Sequence, residues 1–160
     1  MAHQREIIAI LECGTKRWNE FRRQHPDGFV VNGASLPDAQ LACADLHSVI
    51  LMESDLPRAN LACASLEQAV LRKTNLRGSD LREAKMDRAD LFRTDLSGAD
   101  LRDASLVSSF LKCTDLRGTD LSTARGLTDA QLRDAFGDER TRLPSGVVRP
   151  ATWAPEIVRD

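Results

Sequence analysis

The sequence predicts a repeat solenoid whose chain turns once every five residues, and three observations carry that prediction. Stepping by five from Leu36 to Leu121 meets 18 positions, of which 17 are Leu and one is Met86. Two residues before each of these the side chain is small or compact every time, from Ala34 and Ala39 to Thr114 and Thr119. The position between them is mostly Asp or Asn, as in Ala59-Asn60-Leu61 and Ala99-Asp100-Leu101, and the last two positions are mostly polar, charged or Gly. A period of five fits neither the 3.6 of a helix, which would smear the leucines around its circumference, nor the 2.0 of a strand, which would send them to alternate faces. Two columns of the pentad therefore face inward.

Each inward column has a physical task. Leucine fills the axis, and at roughly 1.5–3 kcal/mol per fully buried side chain the column is the dominant stabilising contribution. Small residues let the chain bend, and a Ser or Thr among them is expected to bond a neighbouring backbone group. Outward positions such as Arg82 are expected to tolerate even a change to Asp. Because each coil pairs only with its neighbours, the two ends expose strand edges that need covering.

The flanks supply elements for that cover. Residues 4–24 place Ile7, Ile10, Leu11, Trp18 and Phe21 at helical spacing, with Gly14-Thr15 as a break between two short helices. Thr128 to Gln131 forms a capping-box pattern that predicts a helix to about Phe136, ended by Gly137. The tail from Arg140 to Asp160, with Pro144, Pro150 and Pro155, is expected to run extended. Trp18, Phe21, Phe29, Phe136 and Trp153 lie outside the repeats and are expected to pack at the ends. The resulting division is 1–33 as an N-terminal leader, 34–125 as the repeat block and 126–160 as a C-terminal helix and tail.

Composition excludes several function classes. Twenty-two Lys and Arg against 24 Asp and Glu make no positive field for wrapping nucleic acid or holding anionic lipid. Apolar runs such as Ile7 to Leu11 are far shorter than the roughly 20 residues of a membrane span, and no secretory leader is visible, so a cytoplasmic protein is expected. His3, His25 and His47 have no ligand spacing. Four cysteines without a C-x-x-C pair indicate neither zinc nor a disulfide framework. Cys43 and Cys63 are expected to be neighbouring reduced thiols, with a redox or metal pair as the alternative. With no phosphate loop, nucleophile elbow or catalytic triad, the expectation is a non-enzyme without cofactor or metal.

The tandem A(D/N)LXX pattern over residues 34–125 resembles the signature of pentapeptide-repeat proteins. The resemblance implies an all-β solenoid, a right-handed quadrilateral β-helix of four pentads per coil, here about 4.5 coils with short helical N- and C-terminal caps. The outward positions support the coil length, since Gly78, Gly98 and Gly118 recur at 20, as do Pro37 and Pro57, Cys43 and Cys63, and Arg82 and Arg102. With strands about 4.8 Å apart, the stack should be a rod roughly 20 Å long. The resemblance also implies a function for comparison. Quinolone-resistance members mimic DNA and occupy the saddle of DNA gyrase, a type II topoisomerase, with acidic side chains in place of phosphates. The candidates for that role here are Asp55, Asp95 and Asp115, and Asp80, Asp100 and Asp120. Residues 34–125, however, hold 14 acidic and 12 basic side chains, with Arg72, Lys73, Arg77, Arg82, Lys85, Arg88 and Arg93 crowding the middle.

One outward feature breaks the polar pattern. Val30, Ile50, Val70 and Phe110 fall on one side at the 20-residue period, interrupted by Asp90, and Met52 and Phe92 join them from the adjacent column. A contiguous apolar stripe marks a contact surface, which the N-terminal helices, a second copy of the chain in a homodimer, or another protein could cover. The leading expectation is a structural scaffold for protein–protein interaction, with gyrase inhibition as the alternative.

Overall fold

The computed structural model describes residues 2–153; the part of the expected tail that contains Pro155 lies outside the described residues. Two helices open the chain, α1 (Ala2–Glu12) and α2 (Thr15–Gln24), and Gly14 separates them at φ 84°. Only glycine takes that backbone readily.

The repeat block then winds with a period of 20. The residue before each leucine bridges in parallel to its equivalent 20 residues on, which produces four ladders: Val30–Ile50–Val70–Asp90–Phe110, Ser35–Asp55–Asn75–Asp95–Asp115, Gln40–Asn60–Asp80–Asp100–Asp120 and Asp45–Ser65–Lys85–Ser105–Arg125. Hydrogen bonding repeats at each step. Leu61 donates its N–H to the Asp80 carbonyl at 2.8 Å, and Asp80 donates back to Ala59 at 3.0 Å. The leucine carbonyl meanwhile accepts the N–H three residues on, as Leu61 does from Ala64 at 3.0 Å, which closes a tight turn at every corner.

That turn places the second residue after each inward residue from Leu36 to Leu116 in the left-handed region. Fourteen non-glycine residues, from Asp38 to Cys113, hold φ between 51° and 62°, joined by Gly33, Gly78, Gly98 and Gly118. This is the geometry of a turn whose third residue has positive φ. All 18 positions of the leucine column are buried, and so is the small-residue column apart from half-buried Ala39. Where that column carries a hydroxyl, it bonds as expected: Thr74 donates to Leu51 at 2.7 Å, Thr114 to Leu91 at 2.7 Å and Thr119 to Leu96 at 2.9 Å.

The ladders reach past both ends of the leucine block. Val31 is fully buried in the place of a leucine, so Phe29 to Gly33 forms a pentad without the consensus. At the other end α3 (Asp129–Leu132) interrupts the winding, and the chain then returns to it, with Phe136 bridging to Asp115 and Arg142 to Asp120. The capping box of α3 is formed by Thr128 and Gln131, as predicted, but the helix stops at Leu132. Gln131 reaches back to the Leu106 and Ser109 carbonyls at 2.9 and 3.0 Å, and the carbonyls of Asp134 and Phe136 accept the N–H groups of Cys113 and Leu116. Residues 133–135 thus form a turn and Phe136 enters the ladder, where the sequence predicts helix.

The first coil has carbonyls that in later coils accept from the preceding turn, and α2 supplies substitutes at helical spacing. Thr15 donates through its N–H to Gln40 and through its hydroxyl to Ala42, Trp18 Nε1 to Asp45 at 2.6 Å, Asn19 to Cys43 at 3.1 Å and Arg22 to His47 at 3.1 Å. Asn19 Oδ1 also accepts the Asp45 N–H at 2.8 Å. Ile7, Leu11 and Trp18 are buried, with Phe21 and Phe29 packed around the Trp18 ring at centroid separations of 5.8 and 5.9 Å. Trp153, in a final helical turn (Ala151–Trp153), is buried at the opposite end. Phe136 departs from the expectation that the five flanking aromatics pack as end caps: it is 57% exposed, because its place in the ladder is an outward one.

Candidate functional surfaces

The apolar side is a real ladder. Val30, Ile50, Val70, Asp90 and Phe110 bridge in succession, with Met52 and Phe92 in the neighbouring column. Val30 is 53% and Phe110 48% exposed, while Ile50, Met52, Val70 and Phe92 are half-buried. The stripe is divided at Asp90, where the sequence marks an interruption. Asp90 takes the Arg72 guanidinium at 2.6 Å, leaving an aliphatic patch of Val30, Ile50, Met52 and Val70 and an aromatic pair. Phe92 and Phe110 stack with centroids 6.3 Å apart and planes at 26°, and the guanidinium carbons of Arg72 and Arg93 lie 5.8 and 5.1 Å from the Phe92 centroid. Such cation–π contacts place two arginines beside the aromatic pair, the charge of Arg72 being met by Asp90. The hydrogen bonds of α2 run to the end of the winding, to Gln40, Ala42, Cys43, Asp45 and His47, and none goes to the residues of this face.

The acidic candidates occupy the two adjacent ladders, and the structure brings arginines to most of them. Asp80 pairs with Arg82 at 2.6 Å, and Arg82 also approaches Asp100 at 3.9 Å. Asp100 pairs with Arg102 at 2.6 Å, Asp115 with Arg117, and Asp120 with Arg142 at 3.4 Å. Asp55 accepts from Asn75 Nδ2 at 2.5 Å and Asp95 from the Ser97 N–H at 2.8 Å. The Arg82 and Arg102 hydrogen bonds hold the Asp80 and Asp100 carboxyls below the ordinary carboxylate range. At Asp115 burial pushes the other way, and the Arg117 contacts still bring it down.

On the Asp55–Asp115 side the stacked Gly78, Gly98 and Gly118 open a shallow groove of about 440 Å³, bordered by Ser97, Arg77, Arg117 and Arg140. Arg117 and Arg140 are committed to Asp115 and Asp138. Sequence patterning missed Phe136 and Val148 as exposed apolar groups near the C-terminal end. The signal was hidden because α3 shifts the pentad phase. Among the described residues no group of three or more His, Cys, Asp or Glu could hold a metal ion, and no helix is long and apolar enough to cross a membrane.

These ladders and their five-residue sides define a parallel β-solenoid. A model of the family "Pentapeptide repeats (8 copies)" matches residues 50–88, 59–98 and 84–122, and the chain belongs to the pentapeptide-repeat family. No curated protein matches it in sequence. The pentapeptide repeat protein Rfr23 from the cyanobacterium Cyanothece 51142 shares 23% identity over 78% of this chain and 97% of its own, with a TM-score of 0.59. QnrB1, a plasmid-mediated fluoroquinolone resistance protein, is 17% identical in a trypsin-treated variant, over 79% of this chain and 83% of its own, with a TM-score of 0.47. HetL from the cyanobacterium Nostoc, involved in heterocyst differentiation regulation, is 22% identical over 80% and 83%, with a TM-score of 0.42.

Proposed function

We propose that the protein is a non-catalytic cytoplasmic scaffold, a right-handed quadrilateral rod of about four and a half leucine-filled coils with helical caps, that holds a partner protein along the Val30–Phe110 face. The observation that carries this reading is Phe110, half exposed and stacked on Phe92 beside two arginines, while the hydrogen bonds of α2 go to the end of the winding. Aromatic and arginine side chains are the groups enriched where protein surfaces meet. A second copy of the chain is the first candidate occupant. Light scattering tests it: the unaltered chain should have the mass of a dimer, and Phe110→Arg should reduce it to a monomer with unchanged circular dichroism, since the leucine column is internal to each chain. A monomeric mass for the unaltered chain at high micromolar concentration would remove the homodimer.

The second reading, a DNA mimic acting on DNA gyrase, is favoured by the stacking of Asp80, Asp100 and Asp120 at one strand spacing. It ranks second because arginines neutralise each of these three. A supercoiling titration separates the readings. The scaffold reading expects no inhibition at micromolar protein, and clear inhibition would reverse the order.

A further inference from the structure

Cys43 and Cys63 occupy the same place in successive coils, the second residue after the inward leucine. Both have the left-handed backbone, with φ 56° and 51°, so their side chains leave the corner in the same direction. One strand spacing, about 4.8 Å, separates equivalent backbone positions, which lies within the roughly 4.4–6.8 Å that disulfides span between Cα atoms. The side chains are exposed, and their sulfurs are in contact at 2.6 Å. Backbone bonding fixes this approach. Cys43 donates its N–H to Ala62 at 2.7 Å, Cys63 donates to Arg82 at 2.8 Å, and the Cys43 carbonyl accepts from Asn19 of α2.

We infer that Cys43 and Cys63 form a reactive dithiol that a low-molecular-weight disulfide, such as oxidised glutathione, converts to an intrachain disulfide. The Cys43 thiolate attacks one sulfur of the oxidant, whose S–S bond breaks and releases one glutathione. The Cys63 thiolate then attacks the Cys43 sulfur of the mixed disulfide and expels the second. The chain loses two protons and two electrons, and the oxidant is reduced to two glutathione molecules. The hydrogen bond with Cys43, burial, and the charges of Cys43, Glu83 and Asp80 hold the Cys63 thiol above its ordinary range. In the mixed disulfide the Cys43 thiol is gone, and proximity drives the second attack. Cys113 has Arg93 at the equivalent place one coil earlier, and Cys13 lies between α1 and α2. Neither has this geometry.

The test uses the reduced full chain, treated with oxidised glutathione over a series of ratios to glutathione, alkylated and digested with trypsin, which cuts at Arg58 between the two cysteines. The expected product is a peptide pair joined through Cys43 and Cys63, lighter by two hydrogen atoms and free of glutathione, with Cys13 and Cys113 alkylated. Cys63→Ser should instead retain glutathione on Cys43. Closure should also slow amide exchange in residues 34–63 at least threefold relative to the reduced chain. Lasting glutathione on both cysteines of the unaltered chain, bonds to Cys13 or between chains, or reaction no faster than at Cys13 would overturn the inference.

Discussion

The indole of Trp153 lies against Gly137, so close that a methyl group added at Gly137 would fall among its ring atoms. Trp153 Nε1 donates to the Ala135 carbonyl at 2.9 Å, and the residue is 3% exposed. Gly137 follows Phe136 in the ladder, where 17 of the 18 repeats have a leucine. The indole therefore takes the space of the missing leucine side chain at the end of the column. Gly137→Ala should lift it off, and exchange of the Trp153 indole proton should accelerate at least tenfold while that of Trp18 is unchanged. Trp153→Ala should cost about 3–5 kcal/mol in chemical denaturation.

Leu81 and Arg82 are adjacent in sequence and opposite in environment. Leu81 is fully buried among the leucine column, so Leu81→Ala should cost about 2–5 kcal/mol. Arg82 lies outside, and Arg82→Ala should change the thermal midpoint little, with the difference shrinking as salt rises. The expectation that Arg82→Asp would be silent does not survive the structure, because Arg82 stands between Asp80 and Asp100 and a third carboxylate there would meet two others. Equal losses for the two alanine variants in a urea titration would contradict the assignment of inside and outside.

Gly98 isolates the cost of the corner. Its φ is 68°, and a Cβ there would meet no atom within 4 Å. Gly98→Ala should therefore destabilise by about 1 kcal/mol through backbone strain alone. A stabilised variant in the same assay would show that this corner accepts side chains freely.

Asp138 ties the returning chain to the last full coil. Its Oδ1 accepts the N–H groups of Gly118 at 2.9 Å and of Arg140 and Thr141 at 3.1 Å, and its Oδ2 pairs with Arg140 at 2.9 Å. Burial acts to raise its carboxyl, but the Gly118, Arg140 and Thr141 hydrogen bonds prevail and lower it from 3.8 to about 2. A depressed carboxyl adds stability above its unfolded value that disappears as pH falls through the folded one. The thermal midpoint should accordingly drop between about pH 4 and pH 2, and Asp138→Asn should flatten that part of the profile. An unchanged slope in the variant would assign the acid transition to other carboxyls.

The leucine and small-residue columns were legible because burial repeats at every fifth residue, and Gly78, Gly98 and Gly118 marked both the coil length and the corner. The left-handed backbone at Arg88 or Lys73 was not legible, since charged side chains carry no sign of it and the ladder imposes it from both sides. Phe136 was assigned to a helix because α3 adds residues between Arg125 and the next ladder position, and a phase read by counting fives fails there. The apolar face was visible residue by residue. So was its interruption at Asp90, but not the Arg72 partner, because the pair joins residues 18 apart in adjacent coils. The work of Asn19 and Arg22 on first-coil carbonyls was hidden as well, since α2 follows the helical period and its partners follow the period of five.

Because α2 satisfies the first coil with side chains, the winding has a defined start that needs no matching turn before it. Residues 134–143 and Trp153 give it an equally definite finish. Between these fittings every turn presents the next with the same hydrogen-bonding pattern, so length becomes an adjustable property of the molecule. A duplicated block of 20 residues placed between Gly78 and Gly98 would lengthen the rod by one increment of about 4.8 Å and return each outward column to its own side. Chains of this design can thus act as rulers, setting the distance between whatever binds near one end and whatever binds near the other in steps of a single coil.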